Sequence, residues 1–576
     1  MGSPSDFGAT CKKGPGELSD TARPIRKREP VSRFSSKPLF YHNVCLTMGG
    51  IMKSKIRGLF VAVGISAICM ITALISPLSS ASAAGGGQVV KGGTISIPQG
   101  SWATLDPGVT ISQLSVAPLY GMIFGHLFFQ DTNGKITPDL ALRYQGAANG
   151  KSGKLFLRPG VKFSDGTPLN AAAVVWNFKR YESKTAPGPC PCIAQLSPVA
   201  SVTAKGQNEV DFTFSQPYYN FQMFLAQAQF TYMASPTAFK KMGATQFGIK
   251  PVGAGPFTVQ NDNVGVTMTL VKNPNYWHTG EPYLNQVKVT AISDQSALYT
   301  GVKSGTLAFA SFSPWASPNY VKQSKGDPNL VVHQGPQLSN MFMQVNVHRA
   351  PFNNIKAREA LFEATNPAPI VKALIAGGSV AHLLNPPAAQ YFPGNKPTEG
   401  TFKYNLADAK KLVQEVGGMT FSVIPASTDQ NTVAIEAALQ QQWQAAGMHV
   451  TINNVSHSVQ VQEQATGAFQ AHLAQFGTYI DPFLTVEPFV AHGTTNNAFG
   501  FTSPKLDALL AKIQATKASD TAAIKEDWRQ IATIENSQAG IVPLFFGRTT
   551  QVLNKHLHGV KFAGQQTYYE TAWWGQ

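Results

Sequence analysis

Residues 154–180, KLFLRPGVKFSDGTPLNAAAVVWNFKR, leave the backbone little choice. Leu155 and Leu157 alternate with Phe156 as in a short strand, Pro159-Gly160 turns the chain, and Val161 and Phe163 alternate again. Ser164-Asp165-Gly166-Thr167-Pro168 is a second turn, after which Asn170 can cap a helix whose apolar face includes Val174, Val175 and Phe178. The stretch predicts strand, turn, strand, turn and helix. At 576 residues the chain exceeds what one core supports, so two or three domains are expected.

Other segments read in the same way. Residues 93–98 form a short alternating strand, 203–216 a hairpin around Gly206-Gln207-Asn208, and 266–271 a strand ahead of the Asn273-Pro274-Asn275-Tyr276-Trp277 turn. After about residue 335 helices dominate. Asn405 caps one that presents Leu406, Ala409, Leu412, Val413 and Val416 to one side and ends at Gly417. Ile435, Leu439 and Trp443 line the next, which stops at Gly447 before a strand at 449–452. Ser503-Pro504 and Asp520 start two more. Helices alternating with strands imply an α/β architecture with mixed sheets, and no internal repeat is visible.

Three further segments turn this pattern into a resemblance. The strand ending Leu157-Arg158 with its Asp165-Gly166-Thr167-Pro168 turn is followed by Val252-Gly253-Ala254-Gly255-Pro256-Phe257 and then by Asn273-Pro274-Asn275-Tyr276-Trp277. In that order and spacing they resemble the family 5 solute-binding proteins of ABC importers, the dipeptide, oligopeptide and nickel receptors. Later landmarks agree: Asn346, Pro351-Phe352 with Arg358-Glu359-Ala360-Leu361, Tyr404-Asn405, Asp481-Pro482, Ser503-Pro504 and Val542-Pro543-Leu544. The resemblance covers about residues 88–576. It implies a type II periplasmic-binding-protein clamshell of two lobes with mixed sheets plus an inserted subdomain. Lobe one would comprise 88–335 plus 545–576, with the subdomain at about 130–245, and lobe two 336–544. The chain would cross near 334–340 and 540–547.

Before that region the sequence changes character. Met52-Lys53-Ser54-Lys55-Ile56-Arg57 and the apolar run 59–75, followed by Pro77 and Ala81-Ser82-Ala83, have the parts of a cleavable secretory signal at 52–83. A membrane anchor is the competing reading, but the run is at the short limit for spanning and a small-residue cleavage site follows it. Residues 1–51 fit neither reading, and a start at Met48 or Met52 is expected, with an unusually extended leader as the alternative. Residues 1–83 hold 11 Lys+Arg against 4 Asp+Glu, so nearly half of the +15 charge sits there. The remainder carries 35 basic and 27 acidic residues without a run, which argues against a nucleic-acid binder. Only 13% of residues are charged, about half the usual share. Beyond the leader the only cysteines are Cys190 and Cys192. In an oxidising compartment they are expected to pair, although a C-x-C ring is tight; free thiols or a metal pair remain open.

Signatures of common hydrolases and NTPases are missing: there is no H-E-x-x-H, G-x-S-x-G or Walker A sequence. Gly253-Ala254-Gly255 has Thr258 where a dinucleotide fingerprint needs its third glycine, and reads as a turn. His556 and His558 have no third partner for a metal. No cofactor and no metal are expected, and the chain is not expected to be an enzyme. The clamshell that the resemblance implies needs only ligand contacts from both lobes, with aromatic residues covering the ligand and a few polar groups setting selectivity. Candidates in loops that face the cleft in this family are Trp102, Tyr120, Trp315, Gln337, Asn340, Phe476, Thr478, Tyr479 and Asp481. Peptide receptors of the family hold the substrate α-ammonium with an Asp three residues before the Asp-Pro pair; here that position is Thr478. The helix after the DGTP turn also has Ala172 and Ala173 where acidic residues are usual, and the Asp frequent after the central helices is Ala308. The expected partners are a peptide or other small-molecule ligand and an inner-membrane ABC permease. The expected state is an exported, extracytoplasmic monomer. A nickel-chelate, glutathione, opine or sugar receptor of the same family is the alternative, and a secreted hydrolase or sensor domain on this scaffold is a third.

Overall fold

The computed structural model describes residues 89–575 apart from 110–112, 132–133, 183–195, 228–230, 316–317, 399–400, 428, 456, 478, 495–496, 498 and 564–565. The expected signal, the 1–51 extension, the Cys190–Cys192 pair and Thr478 lie outside the described residues.

The first lobe is built on a four-stranded mixed sheet. Strand Thr94–Gln99 runs parallel to Gln286–Ala291, which is followed by antiparallel Thr267–Lys272 and Phe257–Asn263. The alternation of GTISIP puts Ile95 and Ile97 in a core with Leu119, Ile123, Phe257, Leu270 and Val289. A three-stranded sheet, Phe309–Phe312, Thr550–Asn554 and Leu330–Gln334, completes this lobe.

The three motifs of the central region fold onto one another. In the DGTP turn, Asp165 Oδ1 accepts from Thr167 N at 2.9 Å, and its Oδ2 accepts from Ser235 Oγ at 2.7 Å. Ser164 N donates to Gly253 O at 2.8 Å, and Asn275 Nδ2 donates to Ser164 O at 3.1 Å. Asn273 Nδ2 closes the triangle by donating to Gly255 O at 2.8 Å. Gly253 and Gly255 are small because they meet backbone. A Cβ on Gly253 would lie 2.6 Å from Phe124 Cα, and one on Gly255 2.6 Å from Met122 O. The Gly-Ala-Gly segment is therefore a close-approach turn. Val161 and Phe163 do not form the expected second strand: only a single Lys162–Pro168 bridge forms, because the chain reverses at once through the Asp165 turn.

A second four-stranded sheet, antiparallel throughout, orders Ala141–Gly146, Ser152–Leu157, Glu209–Phe214 and Val199–Lys205 within the stretch expected as the inserted subdomain. The helix Ala171–Glu182 packs on it through Val174, Phe178 and Tyr181, and Asn170 Oδ1 caps it by accepting from Ala173 N at 3.0 Å.

The second lobe carries a six-stranded sheet in the order Ser379–Val380, Ile541–Gly547, Ser339–Val345, Ala471–Gly477, Met419–Ile424 and Met448–Ile452. Helices Leu406–Glu415, Gln430–Ala445, Pro504–Ala515 and Thr521–Gln538 surround it, capped by Asn405, Asp429, Ser503 and Asp520. Ile541–Gly547 pairs with Ser339–Val345 along its length, and the chain leaves that sheet through 548–549 for the strand Thr550–Asn554. No described helix is long and apolar enough to cross a membrane.

Candidate ligand-binding cleft

Two adjacent segments carry the chain between the lobes. Leu330–Gln334 continues through 335–338 into Ser339–Val345, and Ile541–Gly547 returns through 548–549 into Thr550–Asn554. Gly335 N donates to Thr549 O at 2.9 Å, which joins the two crossings into one ribbon. Gln337 Nε2 donates to Gly377 O at 3.0 Å and to Ser379 Oγ at 3.3 Å, and Arg548 Nε donates to the same Gly377 carbonyl at 3.1 Å. The crossing is thus fastened to the edge of the second lobe's sheet.

Beside it, Trp315 reaches from the first lobe into the second. It is only 1% exposed, shares the core of Met341, Phe421 and Leu544, and lies 6.4 Å from the Phe545 ring. Its Nε1 donates to Gln475 Oε1, and its carbonyl accepts from Asn431 Nδ2. Gln295 Nε2 adds a 3.3 Å bond to Asp429 Oδ1.

The lobes meet again away from the crossing. Asp481 is 2% exposed; its Oδ1 caps the helix Pro482–Thr485 through Phe483 N at 2.9 Å, and its Oδ2 accepts from Asn220 Nδ2 of the subdomain at 3.0 Å. Burial holds this carboxyl above the ordinary range. Gln216 Nε2 donates to Gln514 Oε1 at 3.0 Å, Tyr219 N donates to Gln514 O at 3.3 Å, and the Phe224 and Phe483 rings are 6.2 Å apart.

A cluster of aromatic rings is buried in the first lobe. Tyr232 lies 5.1 Å from Tyr120 and 5.5 Å from His126, and Tyr568 lies 5.1 Å from His126 and 4.6 Å from Phe129. Tyr479 of the second lobe is near enough to push the Tyr232 hydroxyl further up after burial has raised it, and burial lifts Tyr479 itself to about 12. Both phenols are therefore neutral donors and acceptors at working pH.

Of the residues singled out from sequence, the structure brings Trp315, Tyr479 and Asp481 to the seam and Gln337 to the crossing. Tyr120 is fully buried in the aromatic cluster, beside Tyr232. Trp102 packs in the first lobe's core, its Nε1 donating to Asp262 Oδ1 at 3.0 Å. Asn340 sits in mid-sheet, where its Nδ2 holds the carbonyls of Leu384 at 2.7 Å and Leu383 at 3.3 Å. Phe476 lies between Phe342 and Phe489, at 5.5 and 5.4 Å. Sequence reasoning missed Asn220, Gln295, Asp429, Asn431 and Gln475. Gln475 had a sequence signal, a polar side chain between Ala474 and Phe476 in a strand-like run, and it is the one exposed residue of Ala471–Gly477.

A family model described as bacterial extracellular solute-binding proteins, family 5 Middle, matches residues 135–497. The glutathione-binding protein GsiB of Shigella flexneri and that of Escherichia coli strain K12 are each 30% identical over 324 residues, 55% of this chain. The match spans 60% of the length of these curated relatives. Among solved structures, the periplasmic binding protein DppA from Helicobacter pylori in complex with the peptide STSA superposes with a TM-score of 0.75 at 22% identity, covering 84% of this chain and 99% of that one. The oligopeptide-binding protein AppA from Bacillus subtilis in complex with a nonapeptide gives 0.75 at 20%, covering 85% and 100%. The binding protein AgaA in complex with agropinic acid, from A. tumefaciens, gives 0.73 at 20%, covering 84% and 99%. At such identities the likeness shows the fold, the clamshell of binding proteins.

Proposed function

Because the chain belongs to family 5 of the bacterial extracellular solute-binding proteins, we propose that it captures a small peptide or peptide-like solute between its lobes and delivers it, without turnover, to an ABC import permease. The observation that carries this reading is the hinge. Two crossings bonded to each other through Gly335 and Thr549 lie at one edge, and a second set of polar contacts, centred on Asn220 and Asp481, lies apart from it. A solute that touches both lobes shifts the population toward the closed form by its differential affinity for it.

The ligand class follows from three lines. Relatives at 30% identity are named for glutathione, and the solved neighbours hold peptides or agropinic acid. Thr478 replaces the acid that the family uses for an α-ammonium, so a solute neutral or anionic at that end is favoured over an ordinary peptide with a free amine. Trp315 and Tyr479, at the seam between the lobes, supply apolar cover. The segment 52–83 acts as the export signal, so the working protein is an extracytoplasmic monomer beginning at Ala84.

The experiment is a calorimetric titration with glutathione and with matched free and N-acetylated tripeptides, followed by small-angle scattering at saturation. The expected result is tighter binding of the acetylated peptide than of its free partner and a smaller radius of gyration with ligand. Preference for the free amine would overturn the Thr478 argument. An unchanged scattering profile would overturn the clamshell mechanism.

A further inference from the structure

A cavity of about 400 Å³ lies within the first lobe; among the described residues it is lined from 129–131, 137–139, 276–278, Glu281, 561–562, Tyr568 and 570–571. That is large enough for a small organic molecule. Its chemistry is lopsided. Asp131, Asp139, Glu281 and Glu570 face it, against Lys561 and His278, and His278 Nδ1 already engages Glu281 Oε2 at 2.6 Å. Rings of Phe129, Tyr276, Trp277 and Tyr568 make up much of the remaining wall.

One atom shows that the protein alone does not complete this site. Asp139 is 2% exposed, and its Oδ2 accepts from His126 N at 3.0 Å, but its Oδ1 is buried without a hydrogen-bond partner. A buried carboxylate oxygen without a donor is costly. The nearby cation does not supply one: Arg158 stacks over Trp277, 4.1 Å from the ring centroid, and its Nε donates to the backbone carbonyl of Asp139. Trp277 Nε1 is likewise buried without an acceptor. The vacant hydrogen-bonding capacity is therefore one carboxyl oxygen and one indole donor, in a wall that carries three further carboxyl groups.

We propose that this cavity binds a small organic primary ammonium compound, whose cation engages Asp139 and Glu570 and lies against the aromatic wall. Aromatic faces and carboxylates both favour an ammonium group. Among the described residues no three His, Cys, Asp or Glu side chains converge as metal ligands, so an extended organic cation suits the site better than a metal ion. An oxygen on the same molecule can accept from Trp277 Nε1. Burial, then repulsion from Glu570, holds Asp139 well above the usual carboxylate range, and burial pushes Glu570 to about 7. An arriving ammonium relieves this strain by supplying the missing positive charge.

Calorimetry on the full-length protein with putrescine, 4-amino-1-butanol and 1,4-butanediol tests the assignment. The two amines should bind with one-to-one stoichiometry and the diol should not. Asp139→Asn, which keeps the side chain's shape, should weaken amine binding at least tenfold, and Glu570→Gln should weaken it several-fold. Circular dichroism establishes that each variant is folded, and Glu570→Gln carries the test if Asp139→Asn is not. Failure of both amines to bind, equal binding of the diol, or amine binding indifferent to the substitutions would overturn the proposal.

Discussion

Asn220→Ala should loosen ligand binding while leaving the fold intact. Asn220 belongs to the inserted subdomain and Asp481 to the second lobe, and their 3.0 Å bond exists only when the two meet. With the lobes parted, both groups would meet water. In the closed form Asp481 is 2% exposed, and the alanine would remove a donor that water cannot easily replace. A hydrogen bond to a charged group contributes about 1.5–3 kcal/mol, and a neutral one about 0.5–1.5 kcal/mol. Because burial raises the Asp481 pKa and so disfavours its charged form, the boundary between the two ranges, about 1.5 kcal/mol, is the better expectation. That cost falls on the closed state alone, so the dissociation constant should rise roughly tenfold. The assay is calorimetric titration with glutathione, or with whichever solute copurifies, paired with thermal unfolding of the ligand-free protein. A control sharpens it. Asp481→Asn should stay within a few-fold of wild type, because its oxygen can still cap Phe483 N and the Asn220 amide can turn its unpartnered Oδ1 toward the new nitrogen. Affinity unchanged in Asn220→Ala, or a melting point lowered as far as by a core cavity, would refute the reasoning.

Three further outcomes are expected. Gly253→Ala should cost about 3 kcal/mol, the upper end for overpacking, because the new methyl meets backbone of residues 123–124; a urea midpoint equal to wild type would contradict the close-approach reading. Glu535 is 3% exposed with neither oxygen partnered, and burial raises its pKa well above the usual value, so folding favours its neutral form. Its contribution to stability is full below the unfolded pKa of about 4.3 and is lost as pH rises through the higher folded value. Urea midpoints at pH 5 and 8 should therefore differ less in Glu535→Gln than in wild type, although Glu436 and Glu487, raised to about 8 and 7, leave a residual slope of the same sign; equal slopes would place the proton elsewhere. Cys190 and Cys192 should take up no alkylating label in non-reduced, denatured exported protein, and two labels per chain would show free thiols.

The parts of this molecule that sequence made legible are those whose residue types answer to local or backbone geometry. Asp165, Gly253, Gly255 and Asn273 each do one thing that few other residues can, and they do it against one another, so their identity and spacing survive as a readable signature. The caps Asn170, Asn405, Ser503 and Asp520 are legible for the same reason: each bonds a backbone N–H two or three residues away. The seam between lobes obeys no such rule. Asn220 and Asp481 are 261 positions apart, and Trp315 and Gln475 160 apart, so nothing near either residue announces its partner. Trp102 and Trp315 look alike as aromatic residues in loops after strands, yet the first finds Asp262 inside its own lobe and the second crosses to Gln475. What separates them is which sheet each loop leaves from, a property of topology. The acidic cavity illustrates the same limit, since Asp139 and Glu570 come from distant parts of the chain and reveal themselves only through an oxygen left without a donor. Family signatures therefore report the scaffold that holds the binding surfaces, while the binding chemistry lies in long-range pairs that the folded chain alone brings together.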